Sequence, residues 1–382
     1  MKKCQSSFDK IIEEIPGIAV DNFEGRHLNS RAFFLSHYHM DHIQGLNSCQ
    51  LANHLRETNA FIYTSEITAS IINHEMKCSD ILRYVKALGR ETTLITLPSM
   101  PEMDLEELFV EVTLIPAGHS FGSTMFLFKT TAKTVLYTGD FRIRINDISK
   151  YGNLHKNDDP IHIDAMYIDT TFFKEKYDDF AKRTDTVDTV IDEISKWLKK
   201  DKENAVSIFM YANYTFEFLL NKIYQKLNMK VYINDHKWDF YSKIQHLVPS
   251  VTNDPEDCRI HLCRNKFEFK NHINCIPYDY FKQYLHVHLT AQKWDGYNIN
   301  ESPIVRRSNT SFDACFSTHC SRNEILYFVS YFNPSKVVGF PNDYVKPDDG
   351  SDEEFVLTPK RSMRKRQNDV SEESLNKVKK IL

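Results

Sequence analysis

Through residues 1–168, short apolar runs alternate with polar turns, at 32–35, 61–64, 110–115, 125–128, 134–137 and 165–168. Their brevity and their β-branched and aromatic content predict strands. From about residue 184 the spacing changes. Val187, Val190, Ile191, Ile194, Trp197 and Leu198 fall on one helical stripe, and residues 205–211 read as a buried strand. A second stripe (Phe218, Leu219, Ile223, Leu227) and a strand over 230–233 follow. Strand and helix in alternation predict a small parallel α/β unit. A strand over 312–317 and a helix over 323–332 close the patterned part. Beyond Pro341 come an acidic stretch (348–354), a basic one (360–366) and, over 371–382, the spacing of a short amphipathic helix.

Composition narrows the picture only slightly. A chain of 382 residues, 41% of them hydrophobic, has material for one large core or two moderate ones. The formal net charge is −4, so a nucleic-acid partner requires cations gathered on one face. The opening MKKCQSSFDK lacks the apolar stretch of a secretory signal, and no apolar run is long enough to span a bilayer. The expectation is a soluble intracellular chain, with no membrane partner and with its eight irregularly spaced cysteines reduced. No G-x-x-x-x-G-K or G-x-G-x-x-G is present, which argues against ATP-driven chemistry. The run KRSMRKR at 360–366 reads either as a solvated tail or as a nuclear-import signal.

The candidate chemistry sits in H-Y-H-M-D-H, residues 37–42, directly after the apolar RAFFLS. In extended backbone His37 and His39 point the same way, so both imidazoles reach one ion. Asp41 and His42 follow on the turn, and their directions diverge towards a second ion. Further candidates sit just beyond predicted strands: His119 in VTLIPAGHSFGS, Asp140 ending TVLYTGD, Asp169 ending AMYID and His319 ending ACFSTH. Residues at strand ends of one sheet converge on one edge. We assign His37, His39, His119 and Asp140 to a first ion. Asp41, His42, Asp140 and His319 serve a second, with Asp140 bridging. Imidazole and carboxylate without thiolate suit Zn2+, with Mn2+ or Mg2+ as alternatives at the second position. A metal-activated water is the expected nucleophile, and Asp169 is read as orienting a ligand or shuttling a proton. Asp41, Asp140, Asp169 and His319 are therefore the catalytic candidates.

The order H-x-H-x-D-H, AGH, TGDFR, YIDTTF and ACFSTHCS resembles the β-CASP subgroup of metallo-β-lactamase-fold nucleases over roughly residues 18–335. Within it the chain is most similar to the Artemis-like branch of the DNA cross-link repair nucleases. The resemblance implies an αββα metallo-β-lactamase fold with an inserted α/β β-CASP domain. Residues 1–168 are then the first part, 169–305 the insertion, 306–345 the return segment and 346–382 a charged tail. It carries the family ligands onto His37, His39, Asp41, His42, His119, Asp140, Asp169 and His319. Three departures stand out: Phe121 where the family has proline, Cys320 in place of a serine (Ser321 retaining the next), and Thr215 where relatives have glycine. The branch also implies a structural zinc in the insert, matched by His261, Cys263 and Cys275. The remaining histidine of that set falls on Tyr232, so His236 or His272 is needed as substitute.

RNA-cutting relatives carry a further histidine beyond the position of His319; residues 320–382 contain none, and the aligned stretch near 336–339 offers valines. The resemblance therefore implies DNA ends, overhangs or hairpins as substrate. It also implies roles in cross-link repair and non-homologous end joining, end-joining proteins as partners and a nuclear location, with a monomer expected. Arg142, Arg144, Lys174 and Lys176 are the candidate phosphate contacts. An RNA-processing endonuclease and a non-catalytic repair scaffold are the alternatives.

Overall fold

A computed structural model describes residues 6–77, 79–209, 211–256, 258–263 and 283–346. The tail segments at 348–354, 360–366 and 371–382 and the residues His272 and Cys275 lie outside the described residues. Residues Val345–Leu382 form a unit of their own.

Three main sheets carry the rest. A four-stranded parallel sheet runs in the order Ile18–Val20, Ala32–Phe34, Ile62–Ser65, Val85–Leu88. A six-stranded sheet has the order Lys336–Phe340, Ala165–Asp169, Thr134–Tyr137, Thr124–Lys129, Leu108–Pro116, Thr93–Leu97. Alternation along single strands packs these two sheets together. Ala32 and Phe34 join Phe126, Phe128, Tyr137 and Tyr167 between the sheets, whereas Phe33 and Leu35 face the helix Cys49–Thr58 through Leu51 and Leu55. On the opposite side, Met125 and Leu127 meet Ile325, Phe328 and Phe332 of the helix Arg322–Phe332. Both faces are covered at the inner strands, which is why those runs are apolar at consecutive positions, whereas the outer strand Thr93–Leu97 alternates and leaves Leu94 exposed. The layers are helix, sheet, sheet, helix.

The third sheet has seven strands: Val251–Thr252, Val231–Tyr232, Ile260–Cys263, Asn204–Phe209, Gln283–Thr290, Ser311–Cys315 and Ile304–Ser308, parallel except for the last pair. The helix Arg183–Lys200 supplies its expected stripe to the core, and Glu217–Leu227 supplies Leu219, Ile223 and Leu227; Phe218 of that second stripe is exposed instead, and Leu220 is buried in the core. One boundary differs from expectation. Ser311–Cys315 pairs in parallel with Gln283–Thr290, so the chain does not return at 306; it rejoins the six-stranded sheet only at Lys336–Phe340. Among the described residues no helix is long and apolar enough to cross a membrane.

Candidate metal centre

Strand direction explains how residues distant in sequence meet. Ile18–Val20 and Ala32–Phe34 are parallel and end at Asp21 and just before His37. Thr134–Tyr137 and Ala165–Asp169 are parallel and end near Asp140 and at Asp169. Leu108–Pro116 runs parallel to them through two antiparallel pairings and leads into His119. The turn before that histidine requires Gly118: its φ is +68°, and a Cβ there meets the Arg142 carbonyl oxygen at 2.8 Å. Ser123 Oγ then accepts from the amides of His119 (3.1 Å) and Ser120 (3.0 Å). His319 comes from the third sheet, where Ser317 Oγ accepts from its amide (3.2 Å) and donates to its carbonyl (2.7 Å).

The hydrogen bonds fix which nitrogen each ring leaves available. Ser36 Oγ donates to Asp21 (2.6 Å), so it accepts from His37 Nδ1 (2.9 Å). His39 Nε2 donates to the Asn213 carbonyl (3.0 Å), and His119 Nδ1 donates to that of Thr318 (3.1 Å). The nitrogens left as acceptors are His37 Nε2, His39 Nδ1 and His119 Nε2, with His39 Nδ1 3.1 Å from each of the other two. Lone pairs this close repel one another unless a cation lies between them. The spacing is near the edge of a tetrahedron with zinc–nitrogen bonds of ordinary length, about 3.3 Å. The donor set therefore fits a divalent metal.

A second group shares Asp140. Its Oδ2 lies 3.3 Å from His42 Nε2, 3.6 Å from His119 Nε2, 3.8 Å from His37 Nε2 and 3.9 Å from His319 Nε2. Asp41 is the exposed member, its side chain 76% accessible and its Oδ2 3.5 Å from His42 Nε2. Asp169 accepts from His319 Nδ1 at 2.7 Å and from Thr171, which aims the His319 Nε2 at the cluster. Burial lowers the pKa of every ring here and prevails at His37, His39 and His119. At His42 and His319 it is outweighed by Asp140 with Asp21 and by Asp169 with Asp140, which raise the pKa, to about 9 for His319. The carboxylates on this edge thus draw positive charge, whether as protons or as metal.

Two participants escape a motif search. Asp21, fully buried, accepts from Ser36 N, Ser36 Oγ, His42 Nδ1 and Tyr137 Oη. Its only signal is an acid directly after the apolar triplet at 18–20. Lys10 donates to the Asp21 and Asp41 carbonyls (3.1 Å each) and lines the cleft of about 640 Å³ that holds His39, Asp41, His42, His119, Asp140 and His319.

The family departures have local accounts. The Phe121 amide donates to the Tyr214 carbonyl (2.7 Å), a bond proline lacks, and ties the histidine loop to the third-sheet half. Thr215 Oγ1 lies 3.2 Å from His39 Nε2, a contact glycine cannot make. Cys320 is buried, and its Sγ accepts from the Ile143 amide (3.4 Å). Ser321 and Glu324 form a capping box at the start of Arg322–Phe332.

Two expectations fail. Arg142 is 4% exposed and donates to the Ser317 (2.8 Å) and Ala181 (3.2 Å) carbonyls, with Glu324 3.4 Å from its Nε. It is an internal clamp, because at this position the side chain points into the fold, away from the cleft. Replacing it by alanine is expected to cost about 3 kcal/mol or more in urea unfolding, as for other buried pairs that lose one partner. Lys176 is exposed but within 3.4 Å of Asp295, while Lys174 is exposed and Arg144 half-buried. His236 is the second failure. Its Nε2 lies 3.8 Å from Glu75 and its ring centroid 5.1 Å from that of His74, so it belongs with those residues and not with His261. Tyr232 does stand opposite His261 in the sheet register. His261 and Cys263 share one strand face, and His261 Nε2 donates to the Cys258 carbonyl (2.7 Å). Among the described residues no third candidate of that zinc set joins them.

Histidines and a shared carboxylate at the C-terminal edge of a two-sheet, helix-covered sandwich define the metallo-β-lactamase class. Residues 245–342 match the family model "DNA repair metallo-beta-lactamase". The chain is 32% identical over 347 residues to Protein artemis of Rattus norvegicus, covering 88% of this chain and 49% of that protein. It is 26% identical to the DNA cross-link repair protein pso2/snm1 of Schizosaccharomyces pombe, covering 73% and 46%. Over 35% of the chain and 22% of the relative it is 38% identical to the 5' exonuclease Apollo of Rattus norvegicus. The chain thus spans about half the length of the artemis and pso2/snm1 relatives. A crystal structure of a protein of unknown function from Enterococcus faecalis V583 shares the fold at a TM-score of 0.50 and 14% identity, covering 81% of this chain and 75% of that one. The chain is an Artemis-like member of the DNA repair metallo-β-lactamase family, a family that implies bound metal.

Proposed function

We propose that this chain is a zinc-dependent nuclease that hydrolyses phosphodiesters of DNA ends, overhangs or hairpins, by 5′-to-3′ trimming, structure-selective cutting or both. The observation that carries this reading is the convergence of His37 Nε2, His39 Nδ1 and His119 Nε2 beside the shared Asp140 carboxylate. His37, His39, His119 and Asp140 would hold one ion; Asp41, His42, Asp140 and His319 would hold a second, zinc again or manganese or magnesium. Ions held there supply an acidified water and positive charge opposite the phosphoryl oxygens. Asp169 keeps the His319 Nδ1–H fixed, so that Nε2 is turned towards the Asp140 carboxylate. The exposed Asp41 carboxylate, at the open side of the cleft, is placed to accept a proton from the attacking water. Lys10, which lines the cleft, and the exposed Lys174 and half-buried Arg144 are the proposed phosphate contacts.

Resemblance to cross-link repair relatives supports a nuclear role in interstrand cross-link repair and in end joining, with DNA as the macromolecular partner. The test is digestion of matched single-stranded DNA and RNA, and of 5′-phosphorylated, 5′-hydroxyl and hairpin DNA, with zinc or manganese supplied. DNA is expected to be cut at least ~10-fold faster than RNA, a difference of about 1.4 kcal/mol in barrier. Equal rates on RNA overturn the DNA reading, and binding without any cleavage favours a scaffold.

A further inference from the structure

Away from this cluster, a second group of metal-ligating side chains gathers where two helices meet. Glu66–Glu75 ends in His74 and Glu75, and Asp235–Tyr241 brings His236 and Asp239 against them. One ligand atom from each of His74, Glu75 and His236 lies within 4.8 Å of the others. Asp239 Oδ2 is 3.6 Å from His74 Nδ1, and the four line a cleft of about 470 Å³. His74 is the informative member. Its side chain is only 4% exposed, yet among the described residues neither ring nitrogen has a hydrogen-bond partner. Leaving a buried polar group unmatched is costly, so such a ring calls for a partner. Burial also lowers its pKa, which keeps a lone pair available.

We propose that His74, Glu75 and His236, with Asp239 as fourth ligand, form a zinc site that pins the third-sheet half of the molecule to the catalytic half. Two imidazoles with carboxylates are a zinc donor set, and four protein ligands make a closed, structural one. The present spacing is wider than the tetrahedral edge of about 3.3 Å, and the exposed His236 at the first turn of its helix is free to close it. Lys77 (2.6 Å) and Lys243 (3.3 Å) now hold Asp239 from the solvent side, with more than half of each lysine side chain exposed. A divalent ion replaces their charge at that carboxylate.

The site bears on the cleft through a short path. Glu75 accepts from the Tyr214 hydroxyl, and the Tyr214 carbonyl holds the Phe121 amide. The residues on either side of Tyr214 supply Asn213 O and Thr215 Oγ1 to His39 Nε2. Fixing Glu75 therefore fixes the segment that orients a histidine of the catalytic cluster.

The test uses the full chain, stripped by chelator, reloaded with zinc alone and assayed for zinc per chain by mass spectrometry. His236→Ala and His74→Asn are each expected to hold one zinc fewer than wild type, and the double variant no fewer than either single. Glu75→Gln, which keeps an acceptor for Tyr214, replaces His74→Asn if that variant fails to fold. Wild-type zinc content in His236→Ala overturns the proposal. A loss confined to His236→Ala also overturns it, because it assigns His236 to the His261–Cys263 pair instead.

Discussion

Asp140→Asn is expected to lower DNA cleavage by about 10³-fold or more, the equivalent of several kcal/mol of lost charge stabilisation. The substitution keeps the shape of the side chain and removes its charge from a point within 3.9 Å of four ring nitrogens. Among the described residues no other carboxylate has contacts to rings of both candidate ion positions like those of Asp140: Asp41 lies 3.5 Å from His42, and Asp169 is taken up by His319 and Thr171. Asparagine presents either a neutral oxygen or an amide donor towards the rings, and neither balances a divalent charge. Zinc per chain should fall together with activity, while circular dichroism and the urea midpoint stay near wild type. Activity within tenfold of wild type would count decisively against Asp140 as the shared ligand.

How much of this was legible in the sequence depended on range. His37, His39, Asp41 and His42 lie within six residues, so local geometry alone forecast their convergence. His119, Asp140 and Asp169 were legible because each follows a strand of one sheet, whose parallel ends meet at one edge, whereas His319 follows a strand of the third sheet and reaches the cluster from outside that edge. What failed required knowledge of direction or pairing. Arg142 stands two residues past Asp140, but nothing in the sequence says that its side chain turns inward to Ser317 and Ala181. Residues 311–315 read equally well as a strand of either half, and only pairing with Gln283–Thr290 assigns them to the third sheet. His236 is close in sequence to Tyr232, yet it sits on a helix turned towards His74. Asp21 follows a strand of only three residues, too brief a signal to mark it.

Asp21→Ala is expected to be the most damaging single change to the fold around the site. The carboxylate takes four donors without solvent: Ser36 N (2.7 Å), Ser36 Oγ (2.6 Å), His42 Nδ1 (2.8 Å) and Tyr137 Oη (2.7 Å). Burial opposes its charge, but His42, Lys10 and Ser36 outweigh that and hold its pKa below the usual 3.8. Ionised Asp21 therefore stabilises the fold above that value, and the contribution fades as pH falls through the lowered pKa. Alanine leaves buried donors unmatched at a cost of about 3–5 kcal/mol, to be read from urea unfolding at neutral pH. Asp21→Asn separates stability from function. It still accepts from Ser36 or Tyr137 and should cost under about 2 kcal/mol. Because it no longer presents a carboxylate to His42 Nδ1, metal affinity should fall by about 10–100-fold, as when such an orienting partner is removed from a ligating histidine. An Asp21→Asn protein with wild-type zinc affinity would mean that His42 is oriented by its surroundings without the charge of Asp21.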